Sequence, residues 1–120
     1  MFDLSKKRYF KINNYEEYRM VIKALVDFGN DFNAKGMPFD EVGDLQDRLL
    51  KLKPSEDGSR LFVLRDYMDH SIVYRALKGV SEKLEAEGQN NTIWYNLYRK
   101  AYRAPTRQDM RQQKLAERVR

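Results

Sequence analysis

Apolar residues recur along this chain mostly at three- and four-residue steps, which predicts a protein built of amphipathic helices. The first segment is the exception. Between Lys7 and Ile12 a run of β-compatible residues is closed by Asn13-Asn14, which predicts a short strand or extended arm. Beyond it Tyr18, Val21, Ile22, Leu25, Phe28 and Phe32 form the stripe of a helix reaching about Ala34. Asn14 followed by Glu17 is a capping-box start, and Gly36 is a left-handed stop.

After a turn at Pro38-Phe39, Asp40 reads as the cap of a second helix. Its face is Val42, Leu45, Leu49 and Leu52, and Pro54 ends the segment. A polar loop over Ser55–Ser59 follows. Leu61-Phe62-Val63-Leu64 fits a buried strand or a buried helical turn equally well; as a strand, its partner is the 7–12 run. Asp69 reads as the cap of a long helix with Ile72, Val73, Ala76, Leu77, Val80 and Leu84 on its stripe, closed by Gly88. Asn91-Thr92 starts another, with Ile93, Trp94, Leu97, Tyr98 and Ala101 along one side until Pro105 stops it. Thr106 with Asp109 is a further capping box. The apolar residues after it (Met110, Leu115, Ala116, Val119) make no clean face, so that helix is expected to be exposed or to order on a partner. The expected fold is therefore mostly α: a single compact bundle of four or five helices, with a short two-stranded β element pairing 7–12 with 60–65. A compact helical domain over 1–104 would carry a basic C-terminal tail or exposed helix over 105–120.

Composition narrows the class. At 120 residues, 42% hydrophobic and 34% charged, the chain suits one globular domain with a heavily charged surface. No apolar run approaches the length of a membrane span, and the start has no apolar stretch after its charges, so neither a span nor a secretory signal is expected. The absence of cysteine excludes disulfides, thiolate metal sites and a cysteine nucleophile, and a cytoplasmic location is the expectation. Charge is unevenly placed. Tyr95–Arg120 holds eight basic residues and two acids, a net +6, whereas the other 94 residues carry 15 bases against 16 acids. Such asymmetry points to an acidic partner.

Catalytic chemistry finds little support. The one histidine, His70, adjoins Asp69 and is a formal candidate for a general base, but a helix cap explains Asp69 as well. Asp40, Glu41, Asp44 and Asp47 match no calcium loop and suit a helix N-terminus through the macrodipole. Neither a glycine-rich phosphate loop nor a nucleophile elbow occurs. The expectation is a non-enzymatic protein without metal or cofactor.

Binding is the stronger case. From Trp94 to Arg103 aromatic and basic residues interleave at helical spacing, with Tyr95, Tyr98 and Tyr102 sharing a face and Arg99 and Arg103 four apart. Trp94 and Leu97 read as core. Arginines continue at Arg107 and Arg111, and the segment around Lys7, Arg8, Tyr9 and Lys11 repeats the mixture. The candidate contacts are Lys7, Arg8, Lys11, Tyr95, Arg99, Lys100, Tyr102, Arg103, Arg107, Arg111, Lys114 and Arg118. Their first-ranked partner is nucleic acid, met through its phosphate backbone. The second is an acidic protein surface, on which the chain would act as an inhibitor, adaptor or assembly component. A membrane surface is not expected, because the tail lacks a bulky apolar face.

Overall fold

A computed structural model of the chain describes residues 6–119. The elements run β1 (Arg8–Ile12), α1 (Tyr15–Ala34), α2 (Asp40–Leu50), β2 (Arg60–Leu64), α3 (Tyr67–Ala86), α4 (Thr92–Tyr102) and α5 (Arg107–Val119). The fold is mostly helical. The ambiguous apolar run is a strand: β2 pairs antiparallel with β1, placing Phe10 opposite Phe62 and Ile12 opposite Arg60. Alternation then sends Phe10, Ile12, Phe62 and Leu64 into the core and leaves Lys11 and Leu61 exposed. A two-stranded ribbon is marginal alone, and here the helices cover its inner face.

α3 is the central helix, packed on α1 along one side and α4 along another. Val21, Leu25, Val42, Leu45, Leu49, Val73 and Leu77 are the other large side chains fully buried in the core. Where α1 meets α2, Gly29 lies so near that a Cβ there would stand 3.3 Å from Val42 Cγ1. Of the apolar residues expected inside, Ile93 is 66% exposed and Phe28 and Phe32 are half-buried, stacked edge-on at 5.0 Å beside Phe39.

The helix ends explain themselves locally, with two corrections. Asn14 Oδ1 accepts the Glu17 N–H at 2.9 Å, while the Glu17 carboxylate accepts from Asn13. Gly36, at φ +70°, closes α1 as Met37 donates to Phe32 O and Gly36 to Asn33 O. Asp40 does not cap α2: it is the first helical residue, and Phe39 holds the cap position without a side-chain bond. α4 does start at Asn91-Thr92, with Asn91 in the cap position; its side chain makes no cap bond and its amide instead donates to Ser81 of α3.

The second correction matters most. Asp66 caps α3, its carboxylate accepting the Asp69 N–H at 2.9 Å, which frees Asp69 for another task. The Asp69 side chain is buried, 3% exposed, and accepts from Arg48 Nη1 at 3.0 Å and from Arg65 N and Nε at 2.9 and 2.8 Å. Arg48 also donates to Val63 O, and Arg65 to Asp44 at 2.8 Å. One carboxylate thus ties α2, the end of β2 and the first turn of α3. Burial alone raises its pKa, but hydrogen bonds from Arg65 and the charges of Arg65 and Arg48 outweigh this and hold it below the usual range. Asp69→Ala is expected to lose ~3 kcal/mol of unfolding free energy in urea titrations, the low end for breaking a buried pair because Arg65 is half-exposed. A loss under about 1 kcal/mol, the scale of an exposed ion pair, would remove the carboxylate from this role.

Candidate functional site

The basic excess sits on two helices that a tight corner separates. α4 ends at Tyr102, and Ala104, Pro105 and Thr106 turn the chain into α5. β1 fastens this corner from behind. The Tyr9 N–H donates to Pro105 O at 2.9 Å and Arg8 Nη1 to Ala104 O at 2.8 Å. The Thr106–Asp109 capping box then starts α5: Thr106 Oγ1 accepts the Asp109 N–H at 3.1 Å and Asp109 accepts the Thr106 N–H at 3.0 Å. Hydrogen bonding from Thr106, its backbone N–H first, holds the Asp109 carboxyl below its ordinary pKa. Because the chain turns here, the four-residue steps from Arg99 to Arg111 do not form one face.

α5 has its own face. Arg107, Arg111, Lys114 and the backbone position of Arg118 fall within about 60° of each other at 3.6 residues per turn. From Arg107 to Glu117 every residue is exposed except the half-buried Met110. Arg111 and Lys114 have no hydrogen bond or ion pair among the described residues; the Arg118 side chain lies outside them. At the foot of the row Arg107 Nη2 donates to Tyr9 Oη at 3.2 Å. Lys6, Lys7, Tyr9, Thr106, Arg107 and Gln108 line an open cavity of about 300 Å³. The N-terminal and C-terminal basic clusters, nearly a full chain length apart in sequence, are therefore one surface.

Two candidates are consumed within the fold. Arg8 is held by Ala104 O, and Lys100 pairs with Glu17 at 3.1 Å while lying 5.8 Å over the Phe10 ring. Lys11 is exposed on the outer side of β1, near enough to Asp57 to lower its pKa, though the Ser59 hydrogen bonds lower it more. Arg103 is exposed and has no side-chain partner among the described residues.

The tyrosines form a second feature. Tyr95 lies 5.9 Å from Tyr98, Tyr98 lies 6.3 Å from Tyr102, and Tyr102 meets Tyr74 of α3 edge-on at 5.1 Å. Arg99 Nη1 donates to Tyr95 Oη at 3.1 Å. Burial raises the Tyr74 pKa, but hydrogen bonds with Arg75 and Ser71 and the Arg75 charge outweigh it and leave the phenol below the tyrosine range. Tyr74 and Arg75 were not among the candidates. The available signal was Tyr67 and Tyr74, seven apart on the flank of the α3 stripe.

The Asp69–His70 pair does not assemble as a base. Asp69 faces the arginines, and His70 Nε2 stands 3.0 Å from Tyr102 O and 3.2 Å from Ala101 O, so it donates to the C-terminal end of α4. Among the described residues no group of three or more His, Asp or Glu side chains is arranged to hold a metal ion, and no helix is long and apolar enough to cross a membrane. No protein-family model matches the chain, and neither curated proteins nor solved structures give a match.

His70 gives the protein a pH dependence of stability. Burial, with a smaller push from the Arg8 charge, lowers its pKa below 6.5 against the opposing pull of the two carbonyl bonds. The unfolded chain therefore takes up a proton first as pH falls, and stability declines below about pH 6.5 until the folded form is protonated as well. Urea titrations at pH 7.5 and 5.5 should show wild type weaker at the lower pH and His70→Gln nearly level between them. An equal decline in both would assign the effect elsewhere.

Proposed function

We propose that this chain is a non-enzymatic nucleic-acid-binding protein that meets the phosphate backbone with the basic row of α5 and the Lys6–Lys7 cluster at its foot. The observation that carries this reading is the exposed row itself. Arg107, Arg111 and Lys114 lie on one side of a helix that packs little on the body, and no described acid pairs with them. A cationic helix face that meets its own fold only where Arg107 donates to Tyr9 suits a linear polyanion, and arginine suits phosphate oxygens through its fork of donors. The cavity beside Tyr9 and Arg107 extends the positive surface onto β1. His70 and Asp69 are both engaged by backbone or arginine partners, which leaves the obvious acid–base pair committed to structure.

One observation favours a protein partner instead. Leu115, 59% exposed, borders the basic row, and an amphipathic helix of this kind can dock in an acidic groove with an apolar floor.

The two readings separate in one titration. Replacing Arg107, Arg111 and Lys114 together with alanine should weaken binding to oligonucleotides and lower the slope of log affinity on log salt by about 2–3, at roughly 0.7–0.9 per lost phosphate contact. The thermal midpoint should hardly move, since these side chains are exposed. Unchanged affinity and slope would sink the nucleic-acid reading and turn attention to an acidic protein.

A further inference from the structure

Aromatic residues on this protein divide sharply by position. Phe10 and Phe62 are fully buried, whereas the tyrosines of α3 and α4 gather at one surface where Tyr95 is 43% and Tyr102 50% exposed. Core packing requires Leu97 and Ala101 from α4 and leaves these two rings over. Their geometry is nonetheless ordered. Tyr98 and Tyr74 lie half-buried beneath and beside them, and the rings contact edge-on or tilted along the series Tyr95, Tyr98, Tyr102 and Tyr74. Each end carries a cation: the Arg99 guanidinium lies 5.7 Å over the Tyr95 ring, and Arg103 follows Tyr102 with its side chain uncommitted among the described residues. The α4 sequence contributes no acid to it.

We infer that this surface is a stacking platform for the bases of a single-stranded nucleic acid, with Tyr95 and Tyr102 receiving bases and Arg99 and Arg103 the adjoining phosphates. The inference rests on the nucleic-acid reading above and sharpens it. A duplex keeps its base faces covered by neighbouring bases, so exposed phenol rings gain nothing from it beyond what the cations provide. An unpaired strand offers a π-face at every nucleotide. Tyr95 and Tyr102 are seven residues apart on one helix, about 10 Å along its axis, a span of a few nucleotides. The hydrogen bond from Arg99 to the Tyr95 hydroxyl restrains that ring before any ligand arrives, which reduces the ordering cost on binding. Every base can stack, so the platform tolerates sequence. α5 would hold the same strand by its phosphates.

The test titrates the full chain by fluorescence anisotropy against labelled oligo(dT), oligo(U) and a duplex of equal length, at low and physiological salt. Wild type is expected to prefer the single strands, and the dT and U arms show whether DNA or RNA is held better. The Tyr95→Ala/Tyr102→Ala double variant should lose roughly tenfold or more in single-strand affinity for each ring, with duplex binding and the salt slope unchanged. Tyr95→Phe/Tyr102→Phe should retain single-strand binding within about twofold, since stacking needs the ring and not the hydroxyl. Both tyrosine positions are exposed, so thermal midpoints close to wild type are expected and verify folding. Equal affinity for single strand and duplex, undiminished in the double alanine variant while the α5 triple variant weakens both, would overturn the platform and leave the nucleic-acid reading standing. Failure to bind any oligonucleotide at low or physiological salt would overturn both.

Discussion

The carboxylate of Asp69 is where the architecture is joined. Two residues donate to it: Arg48 from α2, and Arg65, through its backbone and guanidinium, from the link between β2 and α3. A buried charge of this kind is tolerable only when fully paired, so its partners cannot drift without exposing an uncompensated ion. That requirement sets β2 beside α2 and fixes the start of α3. Arg48 repeats the logic by donating to Val63 O while its guanidinium stands 5.4 Å over the Phe62 ring. With β2 held, β1 has a defined edge to pair with, and the register puts Phe10 and Ile12 inside.

A second set of joints passes this order to the C-terminal end of the chain. β1 uses its far edge and Arg8 to grip the corner at Ala104 and Pro105, and His70 donates to the carbonyls at the end of α4. Lys100 ties the other flank of α4 to Glu17 at the start of α1. The direction in which α5 departs is thus set by backbone acceptors that the strand and α3 satisfy. Its basic row needs none of those contacts, and this is why it remains available at the surface.

Charge and aromatic surface consequently occupy different parts of one side chain inventory. Arg8 and Lys100 are consumed as clamps, Arg111 and Lys114 on α5 are uncommitted among the described residues while Arg107 meets Tyr9, and the α4 arginines lie among tyrosines. On the proposed reading the last two serve the ligand, because a polyanion with accessible bases would need both phosphate donors and flat rings.

Much of this was legible in the chain. The stripe from Tyr18 through Leu25, the stop at Gly36 and the capping box at Thr106–Asp109 depend on neighbours within four or five residues, and local spacing specifies them. So does the surplus of charge after Tyr95. Partner choice over long range was not legible. Leu61 to Leu64 reads alike as strand or helix until β1 lies beside it. Asp69 looks like a cap because Asp66, which performs that task, differs from it only in phase. Arg8 and Lys100 cannot be told from Arg111 and Lys114 by residue type, since what separates them is a carbonyl or carboxylate supplied by a segment more than eighty residues away. The sequence by itself determined the helices, the stop at Gly36, the capping boxes at Asn14 and Thr106, and where the positive charge resides. Only tertiary structure decided which cations are spent on the fold and which face outward, because that depends on hydrogen-bond acceptors that come together when the core closes.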